Sequence, residues 1–208
     1  MEEPVAGKYA RWSANDPGTY AYLLGAYLGD GHIVHQPPNT WSLRISCDPR
    51  YPVIEEELAH AMMANFGKGP RRHRPAAAAV DVLTLTTAAI GEAFPQHGPG
   101  RKHLRSIVLE AWQRDITEAH PDKFIRGLIH TDGCRTINRF RTKLPSGRIA
   151  EYSYVRYFFS NRSADILELF VEHCALLGIR VTQSNPRNLT VSHRNSVAVL
   201  EAIVGPKR

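Results

Sequence analysis

Cysteine is scarce in this chain. Cys47, Cys134 and Cys174 lie far apart, with no C-x-x-C pair. That argues against a disulfide framework and a cysteine-rich zinc site, and leaves three small side chains suited to burial. No apolar run is long enough to span a bilayer. The opening residues, MEEPVAGKYARW, are acidic first and carry no apolar stretch, so they do not read as a secretory signal. Low-complexity tracts and long flexible linkers are missing. The 10 histidines fall at no spacing that would assemble a zinc site. HGPGRKH, residues 97–103, lacks the G-x-x-x-x-G-K-[ST] spacing of a phosphate loop, which excludes nucleotide hydrolysis. The expectation is a free-standing cytoplasmic protein with no membrane partner.

What is present is a chain of 208 residues, 43% of them hydrophobic. That suffices for one packed domain, or for two small halves sharing a core. The net charge is +6 and the pI about 9.4, a balance that favours a polyanionic partner such as nucleic acid.

The strongest signal is a repeat. YLLGAYLGDGH (residues 22–32) and FIRGLIHTDGCR (residues 124–135) run together when Gly25 is set against Gly127. Leu28 then faces His130, Gly29 faces Thr131, Asp30 faces Asp132, and Gly31 faces Gly133. Each stretch reads as an apolar helix opened by a proline, Pro17 after Asp16 and Pro121 after His120, with Asp16 a good N-cap. Gly31 and Gly133 suit the left-handed position that closes a helix. Downstream, each half offers a hairpin whose second strand ends in serine (Ser46, Ser160), then an amphipathic helix ending at Gly67 or Gly178. Two short strands follow, roughly Gly69–Arg74 and Val80–Thr86 in one half, Arg180–Ser184 and Asn188–Ser192 in the other. Closing helices fall near Ala88–Phe94 and Ser196–Val204. The second hairpin is longer, as expected at a hairpin tip. Between the halves a Gly/Pro loop leads to a helix near His103–Arg114.

Gly25 and Gly29 share a helix face, as do Gly127 and Thr131. Interior glycine costs about 1 kcal/mol against alanine, a cost offset when another backbone comes close. Parallel packing of the two helices would bring their C-terminal ends together, and with them Asp30 and Asp132. A carboxylate at a helix C-terminus is repelled by the dipole, and two carboxylates at one spot demand a cation or a raised pKa. Hard oxygen donors suit Mg²⁺ or Ca²⁺.

LLGAYLGDG and IRGLIHTDG resemble the two motifs of the LAGLIDADG homing endonucleases in their single-chain, two-motif form, over roughly Thr19 to Val204. The resemblance implies an α+β fold of two pseudo-symmetric αββαββα halves, a β saddle for the DNA major groove, and paired central helices. It divides the chain into 1–97, a connection at 98–118, and 119–208. It implies a monomeric, metal-dependent, site-specific double-strand DNA endonuclease using Mg²⁺, with Mn²⁺ or Ca²⁺ able to substitute in binding. Asp30 and Asp132, with Gly29 and Thr131 beside them, would hold the metal. Lys102 falls where a catalytic lysine lies in that family, and could equally be a phosphate contact or a surface residue. His130 departs from the motif's aspartate, at a position that is not the metal-binding acid. A cleavage-inactive transcription regulator and an RNA maturase remain alternatives.

A saddle needs strands with one apolar and one basic or polar face. Arg135, Arg139, Arg141 and Lys143 share one parity; Arg148, Tyr152, Tyr154 and Arg156 share one on the partner strand. Ser42, Arg44 and Ser46 alternate with Trp41, Leu43 and Ile45. Arg71, Arg72 and Arg74 form a cluster, and Arg180, Thr182 and Ser184 share a parity. These arginines and Lys143 are the candidate DNA-binding residues.

Overall fold

The structure is a computed structural model and describes residues 12–76 and 79–205. Helix α1 (Pro17–Leu28) is opened by Asp16, whose Oδ1 accepts the Thr19 N–H at 3.1 Å. Its residues from Tyr20 to Leu28 are all buried, as befits a helix apolar on every side. Beside it lies α5 (Pro121–Asp132). A Cβ on Gly25 would strike the Phe124 carbonyl oxygen, and one on Gly127 the Tyr22 carbonyl oxygen. The backbones therefore touch where both side chains are missing. One turn on, the Thr131 side chain fills the space against Gly29.

Gly31 and Gly133 do not adopt the left-handed conformation expected of them. They open strands β1 (Gly31–Gln36) and β5 (Gly133–Lys143), and neither has a positive φ. Glycine is needed there for space. The strand doubles back against its own helix so tightly that a Cβ would sit 2.6 Å from the Tyr27 Cα or the Ile129 Cα. The left-handed closures occur instead at Gly67 (φ 62°) and Gly178 (φ 67°).

Strands β2 (Thr40–Cys47), β3 (Arg71–His73) and β4 (Asp81–Thr87) join β1 in an antiparallel sheet of order β1-β2-β4-β3. The second half repeats it with β6 (Ile149–Ser160), β7 (Thr182–Asn185) and β8 (Asn188–Val191), in the order β5-β6-β8-β7. Helices α2 (Pro52–Phe66) and α3 (Ala89–Ala93) complete the first half, α6 (Ala164–Leu176) and α7 (Arg194–Val204) the second. The fold is thus mixed α and β, with a single buried cluster running through both halves. Among the described residues no helix is long and apolar enough to cross a membrane.

The connecting helix begins later than expected. A short 3₁₀ turn at Lys102–Leu104 is followed by an extended stretch, and α4 spans Ala111–Ala119. The stretch has strand-like alternation: Ile107 and Leu109 are buried, Ser106 and Val108 exposed. Asp165 Oδ2 accepts the Ile107 N–H at 2.6 Å. The helix starts only where Gln113 can reach back to accept the Glu110 N–H at 3.0 Å.

Candidate metal and nucleic-acid site

The ends of α1 and α5 carry the two acids of the repeat. Asp132 is the last residue of α5, and Asp30 lies just past the end of α1. Asp132 is half-buried, and its pKa is pushed up to about 6, first by burial and then by the charge of the neighbouring Asp30. Asn161 and Lys102 act in the opposite direction. Asn161 Nδ2 donates to Asp132 Oδ2 at 2.6 Å. Its other amide atom, Oδ1, accepts the Ser163 N–H at 2.8 Å, which fixes the amide so that its NH₂ points at the carboxylate.

Lys102 reaches this spot from the connecting segment. Its Nζ donates to the carbonyl oxygens of Tyr27, Leu28 and Gly29 at 2.5, 2.8 and 2.6 Å, and lies 5.1 Å from the Tyr27 ring centroid. All three ammonium protons meet the unpaired carbonyls at the negative end of α1. Burial lowers the Lys102 pKa to about 8, although Asp132 and Asp30 pull the other way. The loop carrying the lysine is fastened by Arg105, whose guanidinium donates to the carbonyls of Gln96, Gly98 and Pro99 at 2.9, 2.5 and 3.1 Å.

Among the described residues no group of three or more His, Cys, Asp and Glu side chains is placed to hold a metal. The donors here are two carboxylates and backbone carbonyls, a hard-oxygen set that fits Mg²⁺, Mn²⁺ or Ca²⁺ and not zinc. A divalent cation would offset both the burial and the repulsion from Asp30 that raise the Asp132 pKa. The Gly29 carbonyl already accepts from Lys102. The Thr131 hydroxyl turns back into its helix, sharing its one proton between the Gly127 and Leu128 carbonyls, each at 3.1 Å.

Strand register equates the two sides of the site. Gly31 pairs with Ile45 and Gly133 with Phe159, so Ser46 corresponds to Ser160, Cys47 to Asn161, and Asp48 to Arg162. Ser46 pairs with Val82 and Ser160 with Asn188, so Asp81 corresponds to Arg187. The cleft beside Asp132 is lined by Lys102, His103, Asn161, Arg162 and Arg187. The one beside Asp30 is lined by Cys47, Asp48 and His130. One side is basic. The other carries acids, with Asp48 paired to Arg50 at 2.6 Å and Asp81 to Arg74 at 2.7 Å. Asn161, Arg162 and Arg187 were not singled out from sequence. Asn161 and Arg162 have a signal in the serine that ends each strand: the two residues after it are Cys-Asp in one half and Asn-Arg in the other. Arg187 has none, since only the pairing of β6 with β8 brings it to the site.

The same register sorts the basic residues by face. Residues opposite each other in a ladder point the same way. Arg135, Arg139, Arg141 and Lys143 are opposite Tyr157, Ser153, Glu151 and Ile149, on the parity of Phe159, which packs on Phe170 of α6. Their one shared face is therefore the helix side of the sheet, not the open side. Arg135 pairs with Glu201 of α7 at 2.6 Å and Arg141 with Glu151 at 2.6 Å. Arg72, opposite buried Leu83, also turns to the helices and meets Glu55 at 3.2 Å. The open face carries Arg44 and Arg71, both opposite Thr84. In the second half it carries Thr136 and Arg156, which pair, together with Tyr152, Tyr154, Thr182 and Thr190. Arg148 lies in the hairpin turn before β6, and Arg180 precedes β7, its N–H bonded to Ser196 Oγ at 2.9 Å. The reason for the difference is that parity groups side chains without saying which group faces the core. Past Asn138 both parities of β5 are exposed and apolar spacing gives no guide.

No protein-family profile matches the chain, and no curated protein matches it by sequence. Solved structures do match in three dimensions. The homing endonuclease I-WcaI bound to its DNA recognition sequence superposes with a TM-score of 0.57 at 10% identity, over 98% of this chain and 91% of that one. The N-terminal LAGLIDADG domain of DUF199/WhiA gives 0.56 at 12% identity, over 96% and 88%. I-DmoI in complex with DNA and Mn gives 0.55 at 15% identity, over 91% and 98%. The likeness is one of fold: this chain has the LAGLIDADG fold, shared with DNA endonucleases.

Proposed function

We propose that this chain is a metal-dependent, site-specific double-strand DNA endonuclease of homing type, acting as a monomer in the cytoplasm. The observation that carries the reading is the junction of α1 and α5, where two carboxylates meet a half-buried lysine at the edge of an open sheet face. The two halves, 1–97 and 119–208, each supply one acid, and 98–118 supplies the lysine. Asp30 and Asp132 would hold Mg²⁺, with Thr131 and Gly29 beside them, the Gly29 carbonyl sharing its lone pairs with the Lys102 ammonium; Mn²⁺ or Ca²⁺ can substitute in binding. A bound Mg²⁺ supplies Lewis-acid polarisation of a scissile phosphodiester and activation of water.

The chain's own residues do the rest. Asn161 orients Asp132 and spares it from protonation. Lys102 offsets the negative charge of two carboxylates and a helix end, so that a phosphate can approach. Arg162 and Arg187 present positive charge to the backbone of the strand on their side. Arg44, Arg71 and Arg156 lie on the open face, where the duplex would be read.

The test is cleavage of a randomised duplex library in Mg²⁺, with Asp30→Asn/Asp132→Asn as the control. The expected outcome is specific double-strand cleavage that the double variant loses. Cleavage that survives in the variant would refute the mechanism. Specific gel shifts with no nicking in Mg²⁺ or Mn²⁺ would point to a regulator, and preference for a structured intron RNA to a maturase.

A further inference from the structure

The outer part of the long hairpin carries a row of three rings. Phe140 of β5 pairs across the ladder with Tyr152 of β6, and Tyr154 stands two residues along on the same face. The Phe140–Tyr152 centroids are 5.2 Å apart with planes 26° from parallel, the Tyr152–Tyr154 centroids 6.0 Å apart at 15°. Phe140 is 43% and Tyr154 46% exposed. Contiguous aromatic surface left open to water marks a place where a partner fits.

The surface on which the row lies is continuous with the acidic site. The same parity runs inward through Arg156 and Phe158 to Ser160, whose side chain bonds Asn188 at the edge of the cleft beside Asp132. At about 3.3 Å per strand residue, Tyr154 and Tyr152 lie roughly 20 and 26 Å out from Ser160. On a duplex of about 3.4 Å per base pair, that is roughly six to eight base pairs from the cut. The first half has no counterpart, because its hairpin turns back between Gln36 and Thr40.

The ring spacing selects what can bind. A base inserted between two rings needs about twice the 3.4 Å stacking rise, and the observed separations leave no such slot. Unpaired bases are therefore not clamped here; the three rings form instead a largely apolar row, tipped by the hydroxyls of Tyr152 and Tyr154. On base edges in the major groove the apolar group is the thymine C5-methyl. On the row's own face the strand continues inward to Arg156, and Arg148 stands in the adjoining hairpin turn, charges suited to phosphates. The one acid of the hairpin, Glu151, lies on the opposite face, paired with Arg141.

We infer that Phe140, Tyr152 and Tyr154 read thymine methyl groups in the major groove, roughly six to eight base pairs from the cut, on the half-site bound by the C-terminal sheet. The inference rests on the endonuclease reading above and names a determinant of its target. The test selects duplexes from a random library with the full chain in Ca²⁺. Thymine is expected at those outer positions of one half-site only. Replacing it with deoxyuridine, which removes the methyl alone, should weaken binding about fourfold per methyl. A Tyr152→Ala/Tyr154→Ala variant, its folding checked by thermal denaturation, should bind both duplexes alike. The thymine–uracil comparison on the unmodified chain stands whether or not that variant folds. Equal affinity for the two duplexes in a target that is selected and cleaved overturns this inference alone. Ring-dependent preference for single-stranded DNA overturns it too. Failure to select or cleave any duplex overturns the endonuclease reading and this one with it.

Discussion

Asn161 donates a hydrogen bond to Asp132, while the corresponding place next to Asp30 is held by Cys47, whose thiol turns to the Ile45 carbonyl. Around this difference the two sides diverge further, Arg162 and Arg187 standing against Asp48 and Asp81. The scaffold is duplicated and the surroundings of its two acids are not.

Strand cutting should therefore be sequential. On a duplex labelled on both strands, the strand served by the Asp132 side should be cut first, with a nicked species accumulating. Asn161→Ala should slow that strand roughly 10- to 100-fold, the range for losing a hydrogen bond to a charged group, and leave the other strand's rate nearly unchanged. Equal rates on both strands would refute the assignment.

The helix pair should not tolerate a methyl group at its closest approach. Gly25→Ala and Gly127→Ala gain helix propensity but push against backbone, which cannot yield as a side chain does. Each should lower stability by about 2 kcal/mol. Gly69→Ala, whose added Cβ would meet nothing closer than Met63 Cε at 3.4 Å, should be close to neutral. Urea midpoints for the three variants decide it.

The acidic pair should trade stability for metal binding. At pH 7.5 without metal, Asp132→Asn removes a charge that burial and Asp30 both disfavour. After allowance for its partial exposure, the gain should be about 1 kcal/mol. The unmodified chain should gain thermal stability with millimolar Mn²⁺ or Ca²⁺, and the variant should lose most of that gain. A variant less stable than the parent in EDTA would contradict the repulsion described here.

Acid should weaken the fold through His173. Its Nδ1–H donates to the Leu169 carbonyl at 2.8 Å, and its Nε2 is buried without a partner, beside the Phe124 ring at 4.4 Å. Burial holds its pKa below the ordinary histidine value. The unfolded chain takes up the proton near pH 6.5, whereas the folded ring does so only at lower pH. Stability should thus fall as pH drops through about 6.5, continuing until the folded ring protonates, with a contribution that fades as pH rises beyond about 7.5. Between pH 7.5 and 5.5, His173→Gln should lose less stability than the parent by about 0.5 kcal/mol or more. An unchanged slope would exclude His173 as a source.

Much of the scaffold was legible along the chain. Asp16 and Pro17 announce the start of α1, the order of elements follows the apolar periodicity, and Gly67 and Gly178 close the helices where expected. Gly31 and Gly133 misled because a tight helix-to-strand reversal calls for the same residue as a left-handed cap. The connecting helix begins at Ala111 and not near His103; the basic loop before it hides the strand-like alternation at Ile107 and Leu109. Arg135, Arg139, Arg141 and Lys143 were correctly grouped on one face, but the face itself is fixed by partners on β6 and α7, far away in sequence.

The sequence by itself determined the duplication, the glycine notches and the two aspartates at matching helix ends, because each of these is written within a dozen residues. Tertiary structure decided that Lys102 caps α1, that Asn161 holds Asp132, and that the two sides of the site differ in charge. Those properties arise where segments distant in the chain meet. Burial there changes the cost of a charge, and a neighbour's register decides which way a side chain points.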